Sequence, residues 1–333
     1  MNKINVLAID LAKSVFQLHG VDGRGRALLC QRVSRGQLLR KLAQLPACTV
    51  AMEACASSHH WGRQLSALGH TVRLIAPQHV KPYVMGNKTD RNDAAAICEA
   101  AQRPKMRFVP IKSLEQQSLL AAQRLRALIV KSRTALLNHI RGELLEFGIS
   151  VPKGVAKVRG ALADADVLGQ LPSLMQEVAR QLQGELHQLD SALHEATDRI
   201  ERLTFAQPTC RYLMRRPGIG IHIASALVTQ IDPTCFKNGR HLSAFIGLVP
   251  REHSSGNSKI HLGITKRGNP TLRTLMIHGA RSVVRIVHKR SDPLSQWVQA
   301  VIARRGKHKA IVALANKMAR YAWVDLMHSR QFV

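Results

Sequence analysis

The stretch Lys88–Ile97 reads Lys-Thr-Asp-Arg-Asn-Asp-Ala-Ala-Ala-Ile and sets two acids, Asp90 and Asp93, at the start of an apolar helical run. Residues three apart share one face of a helix, so these two carboxylates stand side by side. Carboxylates held that close repel each other unless a cation lies between them. The pair is therefore either part of a divalent-metal site or a helix N-terminal cap with a spare charge.

Two apolar runs upstream of that stretch each end in an acid, at Asp10 and at Glu53. Short apolar runs are typical of buried strands. With Asp90 and Asp93, the acids occupy two strand ends and one helix start, which favours a shared metal site over a simple cap. Carboxylate oxygens are hard ligands, which select Mg²⁺ or Mn²⁺ rather than zinc.

The order of predicted elements indicates how these acids meet. The predicted elements are strands at residues 4–10, 14–21 and 27–33, a helix at 36–45, a strand at 49–53, a helix at 59–68 and a strand at 71–76. This is the order of the ribonuclease H-like fold, in which the first strand lies beside the fourth. Asp10 and Glu53 would then be neighbours, and the helix that begins near Asp90 would complete the cluster from the side. Two Mg²⁺ ions about 4 Å apart can activate the attacking oxygen and stabilise the leaving oxygen in phosphodiester displacement.

The charge of the chain indicates a polyanionic partner. The 333 residues carry 49 Lys and Arg against 21 Asp and Glu, a net charge of +28. Residues 1–102 hold 13 basic and six acidic side chains, net +7, and residues 103–333 hold 36 basic and 15 acidic, net +21. Neutralising phosphates is what such an excess of cations does best, so we expect nucleic acid as the partner.

Cysteine spacing and hydropathy indicate the compartment. The six cysteines show no C-x-x-C pairing, which is typical of reduced thiols. Neither a signal-peptide pattern nor an apolar run of 18 residues is present. We therefore expect a cytoplasmic, nucleoid-associated protein that does not contact a membrane.

Helical periodicity dominates the middle of the chain. Residues 103–112 carry two prolines and four basic residues, which is typical of a linker. Apolar residues then recur at helical spacing over 125–147 and 174–203, with a Gly- and Pro-bearing segment at 148–172 between them. Each apolar stripe is narrow for its length, which predicts a coiled-coil arm. The pattern leaves open whether the arm dimerises or folds back on itself, and we expect dimerisation.

The segment from Arg215 to Ile221 reads Arg-Arg-Pro-Gly-Ile-Gly-Ile and lies between two helical patterns. This arrangement predicts a helix-hairpin-helix, whose glycines let backbone N–H groups approach a phosphate at a helix N-terminus. We therefore predict nucleic-acid contacts at four of its residues, namely Arg215, Arg216, Gly218 and Gly220.

The second informative stretch runs from Gly247 to Gly268 and is read as a 22-residue loop with four glycines, three serines and four basic residues. Loops of that length usually bind or react. Its predicted nucleic-acid-binding residues are Arg251, Lys259, Lys266 and Arg267. Helices predicted at 270–288, 293–304 and 308–327 then close the chain.

Taken in order, these motifs resemble those of the DEDD transposases (recombinases) of bacterial insertion sequences, a family described as bridge-RNA-guided. The motifs are Ala8-Ile9-Asp10, Met52-Glu53-Ala54-Cys55, Asn87-Lys88-Thr89-Asp90-Arg91-Asn92-Asp93-Ala94, Pro217-Gly218-Ile219-Gly220, Gly247-Leu248-Val249-Pro250, His253-Ser254-Ser255-Gly256 and Lys266-Arg267-Gly268. The resemblance covers essentially the whole chain. It implies an α/β ribonuclease H-like (RuvC-like) domain at 1–104, a linker and coiled-coil arm at 105–207, and an all-α C-terminal domain at 208–333 that contains the helix-hairpin-helix and a serine loop.

The resemblance also implies catalytic roles. The four acids match the family's metal-binding tetrad for Mg²⁺ or Mn²⁺, and Ser255, immediately before Gly256, matches its nucleophile. Adjacent Ser254 leaves open which hydroxyl attacks. The implied partners are double-stranded donor and target DNA, a structured noncoding guide RNA, and further copies of the chain as dimers that assemble into a tetramer.

Two other functions fit the same residues. A metal-only Holliday-junction resolvase would use the four acids with water as the nucleophile and form no covalent intermediate. A non-catalytic nucleic-acid-binding protein would use only the basic helices and would leave the four acids unexplained. Trapping a covalent protein-DNA adduct separates the first of these from a serine transposase, and a Mg²⁺-dependent cleavage assay excludes the second.

Overall fold

The computed structural model describes residues 3–87, 89–255 and 258–329, without the side chains of Ser258, Lys259 and His261. The chain divides into two units, residues 1–114 and 115–333. The first is mixed α/β and the second is mostly helical, as predicted in outline. The finer division at residues 104 and 207 stays a prediction.

A six-stranded sheet organises the first unit. Its strands are β1 (Val6–Asp10), β2 (Val15–Val21), β3 (Ala27–Ser34), β4 (Thr49–Glu53), β5 (Thr71–Ile75) and β6 (Phe108–Val109). Their order across the sheet is β3-β2-β1-β4-β5-β6. Strand β1 pairs in parallel with β4 and antiparallel with β2, and β4 pairs in parallel with β5. The prediction that the first strand lies beside the fourth is therefore met.

Helices cover both faces of this sheet. They are α1 (Leu38–Ala43), α2 (Ser58–Ala67), α3 (Pro77–Val80) and α4 (Asp90–Ala101), with a 3₁₀ turn at Lys81–Tyr83. Because strand side chains alternate between faces, Leu7 and Ile9 of β1 join the core beneath α1 and α2. Val6 and Ala8 join the core beneath α4. This alternation decides which face each strand-end acid occupies.

The segment at 103–112, predicted as a linker, falls within the first unit. Strand β6 pairs antiparallel with β5. Ile111 packs so tightly against α2 that a Cβ added to Gly62 would lie 3.1 Å from it. The apolar residues between the basic ones hold the segment against the sheet.

The arm folds back on itself within one chain. Its helices are α5 (Leu114–Glu146), α6 (Val155–Ala163), α7 (Ala165–Gly169) and α8 (Ser173–Ala206). Arg126 Nε donates to Thr197 Oγ1 over 2.9 Å, and Arg133 pairs with Asp190 at 3.2 Å, which aligns α5 and α8 antiparallel. The segment at 148–172 contains two short helices that close the end of the arm. Dimerisation of the arm stays a prediction.

The end of the chain forms a helical core around α14, to which a β-hairpin is added. Its elements are α9 (Pro208–Leu213), α10 (Ile221–Gln230), α11 (Gly239–Phe245), β7 (Pro250–Ser255), β8 (Ser258–Ile264), α12 (Pro270–Ile286), α13 (Pro293–Arg305) and α14 (Lys307–Ser329), with 3₁₀ turns at Pro233–Cys235 and Val287–Lys289. The region is therefore not all-α, because β7 and β8 pair as an antiparallel hairpin. Small buried residues of α14, such as Ala315, Ala319 and Ala322, let the neighbouring helices approach closely.

Candidate active site and nucleic-acid interface

The two strand-end acids lie next to each other. The parallel register pairs Ile9 with Met52, and one further step brings Asp10 beside Glu53. By strand alternation, both acids lie on the face covered by α4. Burial raises the pKa of the Cys55 thiol, and the negative charges of Glu53 and then Asp10 raise it further. All three groups therefore lie in one electrostatic neighbourhood.

The start of α4 excludes one of the two interpretations of its acids. Thr89 is the N-cap, and its Oγ1 accepts a hydrogen bond from the backbone N–H of Asn92 over 3.2 Å. Neither Asp90 nor Asp93 is the cap. Both lie in the first turn, where the helix dipole stabilises negative charge. Their carboxylates are thus left for other partners.

Asp90 has such a partner in Arg32, whose Nη2 donates to Asp90 Oδ2 over 3.2 Å. The sheet register runs from Asp10 to Gln17 and from Gln17 to Arg32, so these residues form one row across the α4 face. Arg32 lies two strands from Asp10, a spacing of about 10 Å. The two side chains of the ion pair remain 68% and 62% exposed, so the pair contributes no more than about 1 kcal/mol.

Of the four acids, the structure therefore brings only Asp10 and Glu53 side by side. Over residues 3–87, 89–255 and 258–329, no group of three or more His, Cys, Asp or Glu side chains is placed to hold a metal ion. Asp10 and Glu53 lie together, whereas Asp90 is held toward Arg32. The donors are carboxylate oxygens, which suit a hard divalent cation. The four-acid metal site stays a prediction.

Sequence reasoning missed three residues around these acids, namely Gln17, His19 and Arg91. Gln17 is buried beside Asp10 in the register. Burial lowers the pKa of His19, and the positive charge of Arg91 lowers it further. Alternation of polar residues with Phe16 and Leu18 along β2 was the available signal, since it puts Gln17 and His19 on the face of Asp10.

The serine stretch is a β-hairpin rather than a 22-residue loop. Ser255 is the last residue of β7, is exposed, and pairs with Ser258 across the hairpin. Ser254 points to the opposite face, where its Oγ donates to Glu252 Oε1 over 2.9 Å. Gly256, on which the motif match depends, lies outside the described residues. The two candidate hydroxyls thus differ in orientation and in local partner.

Two glycines close the base of this hairpin. Gly247 and Gly268 have φ of +77° and +80°, in the left-handed region that favours glycine. A Cβ on Gly247 would lie 2.8 Å from the Arg267 backbone nitrogen. Arg273 Nη1 donates to the carbonyl oxygens of Ile246 and Arg267, each over 3.0 Å. The base is therefore a tightly packed backbone crossing.

This geometry separates two of the basic residues from Ser255. Lys266 and Arg267 lie at the base, whereas Ser255 lies at the tip, about 20 Å away along β8. Within one hairpin, these two side chains are therefore too far from Ser255 to contact a phosphate bonded to it, and their contact with nucleic acid elsewhere stays a prediction. Lys259 lies opposite Ser254 by register, although its side chain is outside the described part, and Arg251 lies on β7.

The Pro-Gly-Ile-Gly turn packs against the helical core of the second unit. Helices α9 and α10 flank it, but Gly218, with φ of +83°, packs against α12, where a Cβ would lie 2.9 Å from the Gly279 carbonyl oxygen. Gly218 is therefore required for the packing of the turn against α12. A helix-hairpin-helix is not confirmed. Gly220 is the N-cap of α10 and has open space around it.

The two arginines before this turn differ from each other. Arg216 Nε and Nη2 donate to the two carboxylate oxygens of Asp325, each over 2.8 Å. This hydrogen bonding raises the pKa of Arg216. Arg215 is exposed and stacks over Tyr212 at 5.3 Å. The side chain of Arg216 is thus engaged in a structural ion pair, whereas that of Arg215 is accessible to a ligand.

Comparison with known proteins identifies the family. A DEDD transposase model of the IS110 type matches residues 7–149, and a model described as the transposase IS116/IS110/IS902 family matches residues 210–296. The chain belongs to the IS110 family of transposases. It is 44% identical over 336 residues to the transposase for insertion sequence element IS1111A of Coxiella burnetii, covering 100% of this chain and 92% of that protein.

Two other relatives match over nearly their full lengths. A probable family 20 transposase of Pseudomonas aeruginosa is 45% identical, covering 96% of each chain. The transposase for insertion sequence element IS1328 of Yersinia enterocolitica is 38% identical, covering 97% of each chain. These matches agree with the resemblance drawn from the motifs.

Membership of the IS110 family decides the class of activity. This transposase is an enzyme that cleaves and transfers DNA strands, so DNA is its partner, and the non-catalytic alternative is wrong. DEDD transposases generally use divalent metal ions. Within the described ranges, every helix is too short or too polar to cross a membrane.

Proposed function

We propose that this IS110-family transposase cuts and rejoins DNA by a divalent-metal site at its four acids and a covalent intermediate on Ser255, guided by a bridge RNA. The observation that carries the proposal is the placement of Asp10 beside Glu53 on the face of α4, whose first turn holds Asp90 and Asp93. Acids concentrated in one neighbourhood of so basic a chain have a catalytic use in phosphoryl transfer.

Asp10 and Glu53 would hold the ion, with Asp90 and Asp93 joining from α4. A bound Mg²⁺ or Mn²⁺ supplies Lewis-acid stabilisation of charge on the scissile phosphate. For Asp90 to join, its carboxylate must leave Arg32. Because both side chains are exposed, breaking this ion pair costs little free energy. Arg32 therefore competes with the cation for Asp90.

Ser255 supplies the covalent step. Its Oγ attacks the scissile phosphorus, so an Oγ–P bond forms as the P–O bond to the departing strand breaks. The serine proton passes to a base, and the departing oxygen gains a proton. The reverse reaction with another strand end rejoins the DNA and frees the serine. An unactivated hydroxyl is a weak nucleophile, so this step requires the charge stabilisation described above.

The RNA and oligomeric parts of the proposal depend on charge and exposed apolar residues. Residues 103–333 carry the net +21, an excess of cations that the phosphates of both DNA and RNA can neutralise. Dimers formed through the arm, which assemble into a tetramer, would bury exposed apolar residues such as Leu128 and Leu174, which are 60% and 71% exposed. Sequencing RNA that copurifies with the expressed protein tests the guide, and a chain that copurifies with no discrete RNA species contradicts it.

The serine is tested by a matched pair of variants. Ser255→Ala should bind DNA but form no denaturation-resistant protein-DNA adduct, whereas Ser254→Ala, which removes a neighbouring hydroxyl on the opposite face, should still form it. The reverse result means that the nucleophile is Ser254. Adduct-free cleavage by both variants and by the wild type would establish the metal-only resolvase mechanism instead.

The acids are tested in the same assay. Asp10→Asn should abolish strand transfer and leave DNA binding nearly intact, because the amide keeps the shape but loses the charge that attracts the cation. Glu99→Gln is the control, since Glu99 lies on α4 but pairs with Arg103. Wild-type recombination by Asp10→Asn would refute the shared-metal site.

A further inference from the structure

A pocket of about 590 Å³ opens between α13, α14 and the base of the serine hairpin. This volume lies within the range of small-molecule and cofactor sites, roughly 300–1,000 Å³. Leu248 and Ile264 at the hairpin base form one wall, and Trp297 of α13 forms another. None of the metal-site acids nor Ser255 lines it.

One face of α14 forms the floor of this pocket. Lys309, Asn316 and Arg320 line it at spacings of seven and four residues, which places them along one side of the helix, and Lys317 lies next to Asn316. Asn316 Nδ2 donates to the Leu248 carbonyl oxygen over 3.2 Å, which ties the floor to the hairpin base. Three of the lining residues are cations and none is an acid. The pocket therefore attracts an anion.

Aromatic rings accompany these cations. Lys317 Nζ lies 4.1 Å from the ring centroid of Trp297 and 6.0 Å from that of Tyr321. Trp297 is half-buried and Tyr321 is 37% exposed, so part of each ring is accessible. Aromatic rings beside cations are the combination that binds single-stranded nucleic acid, because a base stacks on a ring while its phosphate meets the charge.

We infer that this pocket binds one nucleotide of a single strand, with its phosphate at Lys309, Lys317 and Arg320 and its base against Trp297 or Tyr321. A base inside a duplex has both faces covered by its neighbours, so an unpaired nucleotide fits better than a paired one. The inference adds a binding site to the transposase and does not depend on the proposed serine or metal chemistry.

The fluorescence of Trp297 can report binding in this pocket. The chain has three tryptophans, so Trp61→Phe with Trp323→Phe leaves Trp297 as the only one. A single-stranded oligothymidylate of about eight nucleotides should quench its fluorescence saturably. A strand of the same length with abasic sites should bind at least about fivefold more weakly, since stacking accounts for about 1–3 kcal/mol per base and 1.4 kcal/mol corresponds to tenfold. Equal quenching by the abasic strand or by a blunt duplex would overturn the inference.

Charge variants locate the phosphate. Lys309→Ala and Arg320→Ala should each weaken binding of the oligothymidylate about tenfold at low salt, the loss expected for a charge-assisted hydrogen bond. Lys289→Ala is the control, because it removes the same charge from an exposed site outside the pocket lining and should change affinity less than about twofold. Equal losses in all three variants would mean diffuse electrostatic binding and would overturn the inference.

A second measurement avoids tryptophan replacement. Photo-crosslinking of a bromodeoxyuridine strand to the wild-type chain should map to Trp297 or Tyr321, and crosslinks confined to other segments would refute the site. Ser255→Ala should keep both the quenching and the crosslink. Normal adduct formation without quenching therefore refutes the pocket alone, whereas quenching without an adduct in the wild type refutes the serine mechanism alone.

Discussion

Removing Arg216 should destabilise the second unit much more than removing its neighbour Arg215. The Asp325 side chain is 2% exposed, and Arg216 supplies both of the hydrogen bonds between the two side chains. Breaking a fully buried ion pair costs about 3–5 kcal/mol, because a charge is left without its partner. Arg216 is 43% exposed, so water replaces part of what is lost. We therefore expect Arg216→Met to lower the free energy of unfolding by about 2–3 kcal/mol.

This loss is measurable as a shift in the melting temperature. For a unit of this size, 1 kcal/mol corresponds to about 2–4 °C, so Arg216→Met should melt about 4–12 °C lower. Fluorescence of Trp323, which lies on α14 with Asp325, reports unfolding of this unit once Trp61 is replaced by Phe. Because the hydrogen bond raises the pKa of Arg216, its contribution is not lost as the pH rises toward the ordinary arginine pKa. The loss should thus not diminish between pH 7 and pH 9.

Two variants decide whether the reasoning holds. Arg215→Met should change the free energy of unfolding by less than about 0.5 kcal/mol, as is usual for an exposed side chain. Arg216→Met combined with Asp325→Leu should recover most of the loss, because an apolar pair leaves no buried charge. Equal stability of the two single variants would refute the structural role of Arg216, and so would the absence of recovery in the double variant.

Three further predictions concern DNA binding and the stability of the second unit. DNA affinity should fall with salt with a log-log slope of about −0.9 per neutralised phosphate, and a flat titration between about 50 and 200 mM would contradict phosphate-dominated binding. Gly279→Ala should destabilise the second unit by about 1–3 kcal/mol in urea unfolding, since its Cβ would overlap the Gly218 carbonyl oxygen, whereas Gly184→Ala in open space on α8 should stabilise it by about 0.5–1 kcal/mol. Burial and then the charge of Arg126 lower the pKa of His222 in the folded chain. The contribution of His222 to the free energy of unfolding is therefore present above its unfolded pKa of about 6.5 and is lost as the pH falls toward the folded value. His222→Gln should lose stability less steeply between about pH 7 and pH 5, and identical slopes for the variant and the wild type would contradict this prediction.

The strand-end acids were predictable because their signal is local. Strand β4 begins and ends as predicted, at Thr49 and Glu53, since a continuous apolar run bounded by polar residues specifies a buried strand. The order of elements then placed β1 beside β4 and hence Asp10 beside Glu53. Arg32 was not predictable, since its contact with Asp90 depends on the register of two further strand pairs.

The hairpin was missed because only β8 shows a strand pattern, with Ile260, Leu262 and Ile264 at every second position, and β7 shows none. Every residue of β7 is exposed, so neither face selects apolar side chains and no alternation appears. Its base is fixed by Gly247 and Gly268, which are far apart in sequence and meet only in the folded chain. A glycine-rich, polar segment of this kind cannot be distinguished from a loop by composition.

The packing of the turn at 215–221 was not predictable for a related reason. Two arginines followed by Pro-Gly-Ile-Gly is a local pattern that fits phosphate binding. Its packing partners, Gly279 and Asp325, are contributed by α12 and α14 much later in the chain. One sequence does not reveal such non-local packing.

The serine hairpin is fixed at its base and exposed along its length. Its base is a packed backbone crossing at Gly247 and Gly268, whereas its two strands are exposed, so the angle at the base sets where Ser255 lies. At a length of about 20 Å, a tilt of about 6° moves the tip by about 2 Å. Attack requires reacting atoms about 3–3.5 Å apart, and an error of about 1 Å can cost a factor of a hundred. Substitutions at Gly268 should therefore slow adduct formation while DNA affinity stays unchanged, and an unaltered adduct rate in Gly268→Ala would show that the base does not aim the tip.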